Sequence, residues 1–143
     1  MSTDSTRPDS PSDTIVVGVD TSPESIAALR WAADLAATTG VPLLAVHAEG
    51  LLEEGSYVPH VDVTDLIAHT LKGARLSALT ALVEPGPPCD TLLRVARRAG
   101  ARHIVVGHRG VGATGSDVGS TALQLVSRST VPVTVVRSDD PAG

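Results

Sequence analysis

Short runs of Val, Ile and Leu alternate along the chain with longer segments whose apolar residues recur every three or four positions. Thr14-Ile15-Val16-Val17-Gly18-Val19-Asp20 is rich in β-branched residues on both faces, as a strand is when helices cover the sheet on each side. Thr21-Ser22-Pro23-Glu24 then opens a helix. Ser22 suits the cap, Pro23 the first turn and Glu24 the positive end of the dipole. Ile26, Leu29, Ala33 and Ala36 follow at helical spacing until Gly40 and Pro42 stop the run. Leu43 to His47 reads as a second strand, and residues 49–60, with Gly50, Gly55 and Pro59, as a loop.

The same alternation continues. A helix is expected from Val61 to Arg75, weakened by Gly73, and a strand from Leu79 to Val83. The next helix, Cys89 to Ala99, turns Leu92, Leu93, Val95 and Ala96 inward and Arg94, Arg97 and Arg98 outward, with Gly100 as its left-handed stop. His103 to Gly107 is a fourth strand, Gly119 to Arg128 a fourth helix, and Val131 to Val136 a fifth strand. This βαβαβαβαβ order predicts an α/β fold. It is a single-domain, open, doubly wound parallel five-stranded sheet with helices on both faces, too short for an eight-stranded barrel. The expected domain covers residues 14–137, between a polar tail at 1–13 and a short flexible end at 138–143.

Composition narrows the functional classes. Trp31 and Tyr57 are the only aromatic residues, so stacking platforms for bases or sugars are disfavoured. The net charge of −5 disfavours nucleic acid, whose affinity for proteins comes largely from cationic side chains. The single cysteine, Cys89, has no disulfide partner, and its redox use is disfavoured too. His47, His60, His69 and His103 lack ligand-like spacing, so no structural metal is expected. The Ser/Thr/Asp/Pro-rich start is expected to be neither a leader nor an anchor, and no apolar run approaches the roughly 18 residues of a membrane span. The expectation is a soluble cytoplasmic protein.

The chemistry concentrates in the loop after the fourth strand, from Gly107-His108-Arg109-Gly110 to Gly119-Ser120-Thr121, which holds five glycines. Glycines at a strand-to-helix junction let bare backbone approach a ligand. The helix that opens at Gly119-Ser120 aims unpaired amides and a positive dipole end at the same place, a geometry that accepts phosphate without lysine. Ser120 and Thr121 add hydroxyl donors. The alternative is a surface loop with a serine cap. The loop has no lysine, which excludes a Walker P-loop. Gly110-Val111-Gly112-Ala113-Thr114-Gly115 matches G-x-G-x-x-G, but only one helix and one strand follow it, whereas a Rossmann fingerprint sits in the first βα turn. Neither a nucleophile elbow nor a paired general acid and base is present, so binding is favoured over turnover.

The chain resembles a universal stress protein of the small single-domain type over residues 14–137. The resemblance rests on four segments. They are Ile15-Val16-Val17-Gly18-Val19-Asp20 with Ser22, Ile104 to Gly110, Gly119-Ser120 before a helix, and the closing Val131-Pro132-Val133-Thr134-Val135-Val136. It implies strand order 3-2-1-4-5 and an ATP site, with or without Mg²⁺, where the first and fourth strands meet. Asp20 would contact the sugar side and Val46 would flank adenine, with Gly18 and Val19 belonging to the same site. Val106, Gly107, His108 and Gly110 would line base and sugar, Arg109 would face phosphate, and Gly119, Ser120 and Thr121 would hold phosphates. Asp20 alternatively serves only the turn into the helix, Arg109 only solvent, and His108 no ligand. ATP-binding members carry Gly-x2-Gly-x9-Gly-Ser/Thr; here eight residues separate Gly110 from Gly119, and Asp117 opposes a triphosphate unless Mg²⁺ intervenes. The resemblance also implies a homodimer paired through strand 131–136, which Val133, Val135 and Val136 leave apolar and free of lysine. The expected function is a nucleotide-binding stress-response regulator. The alternatives are a dimeric interaction protein without nucleotide and a slow ATPase.

Overall fold

The structure, a computed structural model, describes residues 13–49, 63–109 and 118–138. Its elements follow the order β1 (Ile15–Gly18), α1 (Pro23–Thr39), β2 (Leu43–Glu49), α2 (Val63–Thr70), β3 (Leu79–Pro85), α3 (Pro88–Ala99), β4 (His103–Gly107), α4 (Ser120–Arg128) and β5 (Val133–Val136). All strand pairs are parallel and the order across the sheet is β3-β2-β1-β4-β5. The expected fold and strand order are therefore what the chain adopts.

The sheet separates two cores because successive side chains of a strand face opposite ways. Ile15, Val17 and Val105 point to α1 and α2, where Ala28, Leu29, Ala32, Ala36 and Ile67 meet them. Val16, Ile104 and Val106 point to α3 and α4, against Leu92, Val95, Ala122 and Leu125. The row of alanines on α1 lets that helix lie close to β1 and β4 without aromatic bulk. Gly40 (φ 75°) and Gly100 (φ 66°) end α1 and α3 in the left-handed conformation that glycine adopts without strain.

Several boundaries differ from the sequence reading, each at an end. β1 stops at Gly18 because the chain beyond it turns into α1. β3 runs on to Pro85, paired opposite Glu49 of a longer β2. α2 ends at Thr70, short of Arg75, and Gly73 beyond it has φ 88°. Pro132 delays β5 to Val133, and Gly119 is the cap of α4 and not its first turn.

The outer side of β5 has no strand beside it among the described residues. Leu123 and Val126 are exposed on α4, the helix above that edge. On the other face His103 Nε2 hydrogen-bonds Thr134 Oγ1 at 2.6 Å, and Trp31 meets the imidazole edge-on with ring centroids 6.0 Å apart.

Candidate functional site

At the carboxyl ends of β1 and β4 the chain departs to opposite faces of the sheet, into α1 and α4. This is the switch point where open α/β sheets form crevices. Beyond β1, the Val19 amide donates to the Val46 carbonyl (2.8 Å) and the Val19 carbonyl accepts from His47 Nδ1 (2.8 Å). Asp20 then organises the entry to α1. Its Oδ1 accepts from the Ser22 amide (2.7 Å) and from the Ser22 hydroxyl. The Ser25 hydroxyl donates to the Asp20 carbonyl (2.7 Å) and accepts from the Asp20 amide (2.8 Å). Ser22 Oγ caps α1 by accepting from the Ser25 amide at 3.1 Å. Asp20 thus performs the helix-entry role while standing on the sheet edge where the resemblance sets the sugar.

Gly107 ends β4 directly against the first turn of α1. A Cβ there would stand 2.7 Å from the Glu24 carbonyl carbon and 2.8 Å from the Ser25 nitrogen. The bare face of this glycine is therefore filled by a helix. His108 follows, buried, with its amide donating to Val136 (2.7 Å) and its carbonyl accepting from the Gly119 amide (2.8 Å). That second bond brings the start of α4 to the end of β4. Gly119 has no side chain with which to cap α4, and the amides of Ser120, Thr121 and Ala122 precede the first intrahelical bond, Leu123 to Gly119.

Arg109 is not a solvated loop arginine. Its Nη2 donates to Glu24 Oε2 at 2.9 Å, joining residues on either side of the switch point. This hydrogen bond holds the Glu24 carboxyl below the usual range, aided by Glu24's own amide and opposed by burial; the charge of Arg109 and, least, His108 add to the lowering. Glu24 was legible in the sequence only as a dipole partner, and Ser25 and His47 carried no signal of their place here.

The remaining expected residues divide by what they offer. The side chains of Val19, Val46 and Val106 are buried, so main chain is what they present above the sheet. Gly18 makes room for Leu92, whose Cδ1 would lie 2.9 Å from a Cβ. Ser120 is exposed and Thr121 half-buried at the start of α4. Gly110 and Asp117 lie outside the described residues. Among the described residues no cluster of three or more His, Cys, Asp or Glu side chains is arranged for a metal, and no helix is long and apolar enough to cross a membrane.

The Universal stress protein family model matches residues 11–137. The chain belongs to that family. A universal stress protein of Mycolicibacterium smegmatis is 35% identical over 144 residues, covering 90% of this chain and 49% of its own length. The chain thus spans about half the length of the curated relatives it matches. Among solved structures, a universal stress protein in complex with cAMP superposes with TM-score 0.70 at 23% identity, covering 91% of this chain and 100% of the other. A family member from Arabidopsis thaliana with AMP bound gives 0.62 at 18%, covering 91% and 99%. At those identities the two structures bear on the fold.

Proposed function

We propose that this universal stress protein binds an adenine nucleotide at the β1/β4 switch point and acts as a homodimeric, cytoplasmic regulatory module in a stress response. The observation that carries the reading is the start of α4, whose cap Gly119 brings no side chain, drawn to the end of β4 by the Gly119–His108 bond. It offers main-chain donors and a positive dipole end to a phosphate. Asp20 and the main chain of Val19 and Val46 stand across the crevice on the β1 and β2 side, where sugar and base would lie. ATP is the ligand the family resemblance puts forward, with Mg²⁺ at most as a counter-ion carried by the nucleotide. AMP and cAMP, bound by the two structural neighbours named above, belong to the same ligand class.

Calorimetric titration of nucleotide-stripped protein tests the reading. Gly119→Val and Ser120→Ala are each expected to weaken binding by about tenfold, the worth of one phosphate hydrogen bond. No heat with any adenine nucleotide at millimolar concentration refutes it.

The dimer has its own support. β5 is an edge strand without lysine, and Leu123 and Val126 are exposed on the helix above it. Sedimentation showing only monomer at micromolar concentration refutes that part. The same edge favours the second reading, a dimeric interaction protein that works without nucleotide. In that case association persists in chain that binds none.

A further inference from the structure

Beside the edge strand β5 stands a titratable group that nucleotide binding leaves unused. His103 opens β4, one strand in from the edge. Its Nε2 meets Thr134 Oγ1 of β5 at 2.6 Å, and Trp31 of α1 touches the ring edge-on. Trp31 is 39% exposed and Thr134 half-buried, so the cluster reaches from the interior of the sheet to its open border. Val133 to Val136 carry no charge, and no strand lies beyond them among the described residues.

The surroundings leave the imidazole as the group that answers to pH. α1 brings Glu24, Arg30 and Asp34; the first is held by Arg109 at the carboxyl end of the sheet, and the other two are exposed. Arg102, next to His103, pairs with Asp13 ahead of β1 at 3.1 Å, and exposed Arg137 follows β5. On β1 the register partner of His103 is the uncharged Ile15. No charge among these contributes to the shift of His103, which burial alone pushes below its ordinary 6.5.

We propose that His103 makes the pairing of two copies through β5 sensitive to acid: the neutral ring, bound to Thr134 of the edge strand, admits a second copy along that edge, and the protonated ring opposes it. The inference rests on the homodimer reading above and names a regulation of that same surface.

The physical argument is a linkage between proton and partner. In the neutral ring one nitrogen lacks hydrogen, and the Thr134 hydroxyl can donate to it. In the cation both nitrogens carry hydrogen, so the hydroxyl only accepts and its own hydrogen must turn to solvent at the sheet border. Burial already disfavours the charge in the single chain. A second copy along β5 would remove further water from Thr134 and Trp31 and disfavour it again. Association then lowers the proton affinity of the ring, and by the same linkage acid weakens association. A symmetric pair contains two such rings, so the effect enters twice. Pairing is unimpaired above the ordinary 6.5 and weakens as pH falls below it through the value of the single chain.

The test is sedimentation of the full chain over a range of concentrations at pH 7.5 and 5.5, in the parent and in His103→Gln, whose amide can meet Thr134 but does not titrate. The parent dimer is expected to loosen by about fivefold or more at the lower pH, and His103→Gln by less than about twofold. Circular dichroism at both pH values establishes that the chains remain folded. The reciprocal measurement needs no variant. The acid midpoint of Trp31 emission is expected to fall as protein concentration rises from below the dimer dissociation constant to above it. A dissociation constant equal at both pH values, a loosening that persists in His103→Gln, or a midpoint indifferent to concentration overturns this inference and leaves the dimer standing. Monomer at every pH and concentration overturns both.

Discussion

Gly107→Ala is the sharpest test of how the site is built. The added methyl would meet the Glu24 carbonyl carbon at 2.7 Å, the Ser25 nitrogen at 2.8 Å and Glu24 Cβ at 2.9 Å. Two of these are backbone atoms in the first turn of a capped helix, so relief requires α1 to move away from β4. Overpacking of this kind costs about 1–3 kcal/mol. Against it stands a gain of roughly 0.4–1 kcal/mol, because alanine restricts the unfolded chain more than glycine does. The net expectation is a loss of about 1–2 kcal/mol, or some 4–8 °C in melting temperature for a domain of this size. Urea unfolding followed by far-ultraviolet circular dichroism, without ligand, reads it directly. Gly18→Ala is the internal comparison. Its closest contact, Leu92 Cδ1 at 2.9 Å, is the end of a flexible side chain that can give way. That variant should lie within about 0.5 kcal/mol of the parent. Equal stability of Gly107→Ala and the parent, or a larger loss in Gly18→Ala, would show that α1 does not seat on β4 as described.

Two further groups, half-buried His103 and buried Cys89, give outcomes of their own. Burial pushes the His103 imidazole below its ordinary 6.5, so the unfolded chain binds the proton more readily. This contribution to stability is complete above 6.5 and is lost as pH falls from there toward the folded-state value. The urea midpoint should therefore decline on acidification below pH 6.5 more steeply in the parent than in His103→Gln. Trp31, the only tryptophan, should report protonation through its emission because it touches that ring. An identical pH profile in the two proteins would refute the assignment. Burial likewise raises the Cys89 thiol, although Arg128 Nη1 lies 3.6 Å from its sulfur. Cys89 should react with a disulfide reagent at the rate of unfolding; reaction within seconds in native buffer would contradict the burial.

Most of the fold was legible because the pattern is local and redundant. Each strand is a Val/Ile/Leu run too short for a helix. Gly40, Gly100 and Pro23 mark helix ends by conformational limits that hold in any context. Strand ends were less legible, since pairing with a neighbour decides them, as Glu49 opposite Pro85 shows. The site was legible in part. Asp20, Gly107, His108 and Gly119 do converge, because strand order brings two distant segments together. The use of each was not readable from its type. A glycine at the end of a strand looks the same whether a ligand or a helix occupies the space it leaves, and at Gly107 the occupant is α1. Glu24 and Arg109 are separated by 85 positions, and no local pattern signals an ion pair across such a span.

The bond from the Gly119 amide to the His108 carbonyl ties the base of the connection between β4 and α4. With the helix anchored there and by Ala122 and Leu125 in the core, the number of residues bridging the knot becomes a separate variable. Insertions or deletions in that bridge would then leave the scaffold beneath in place, so the length of the connection can vary without turning the fold.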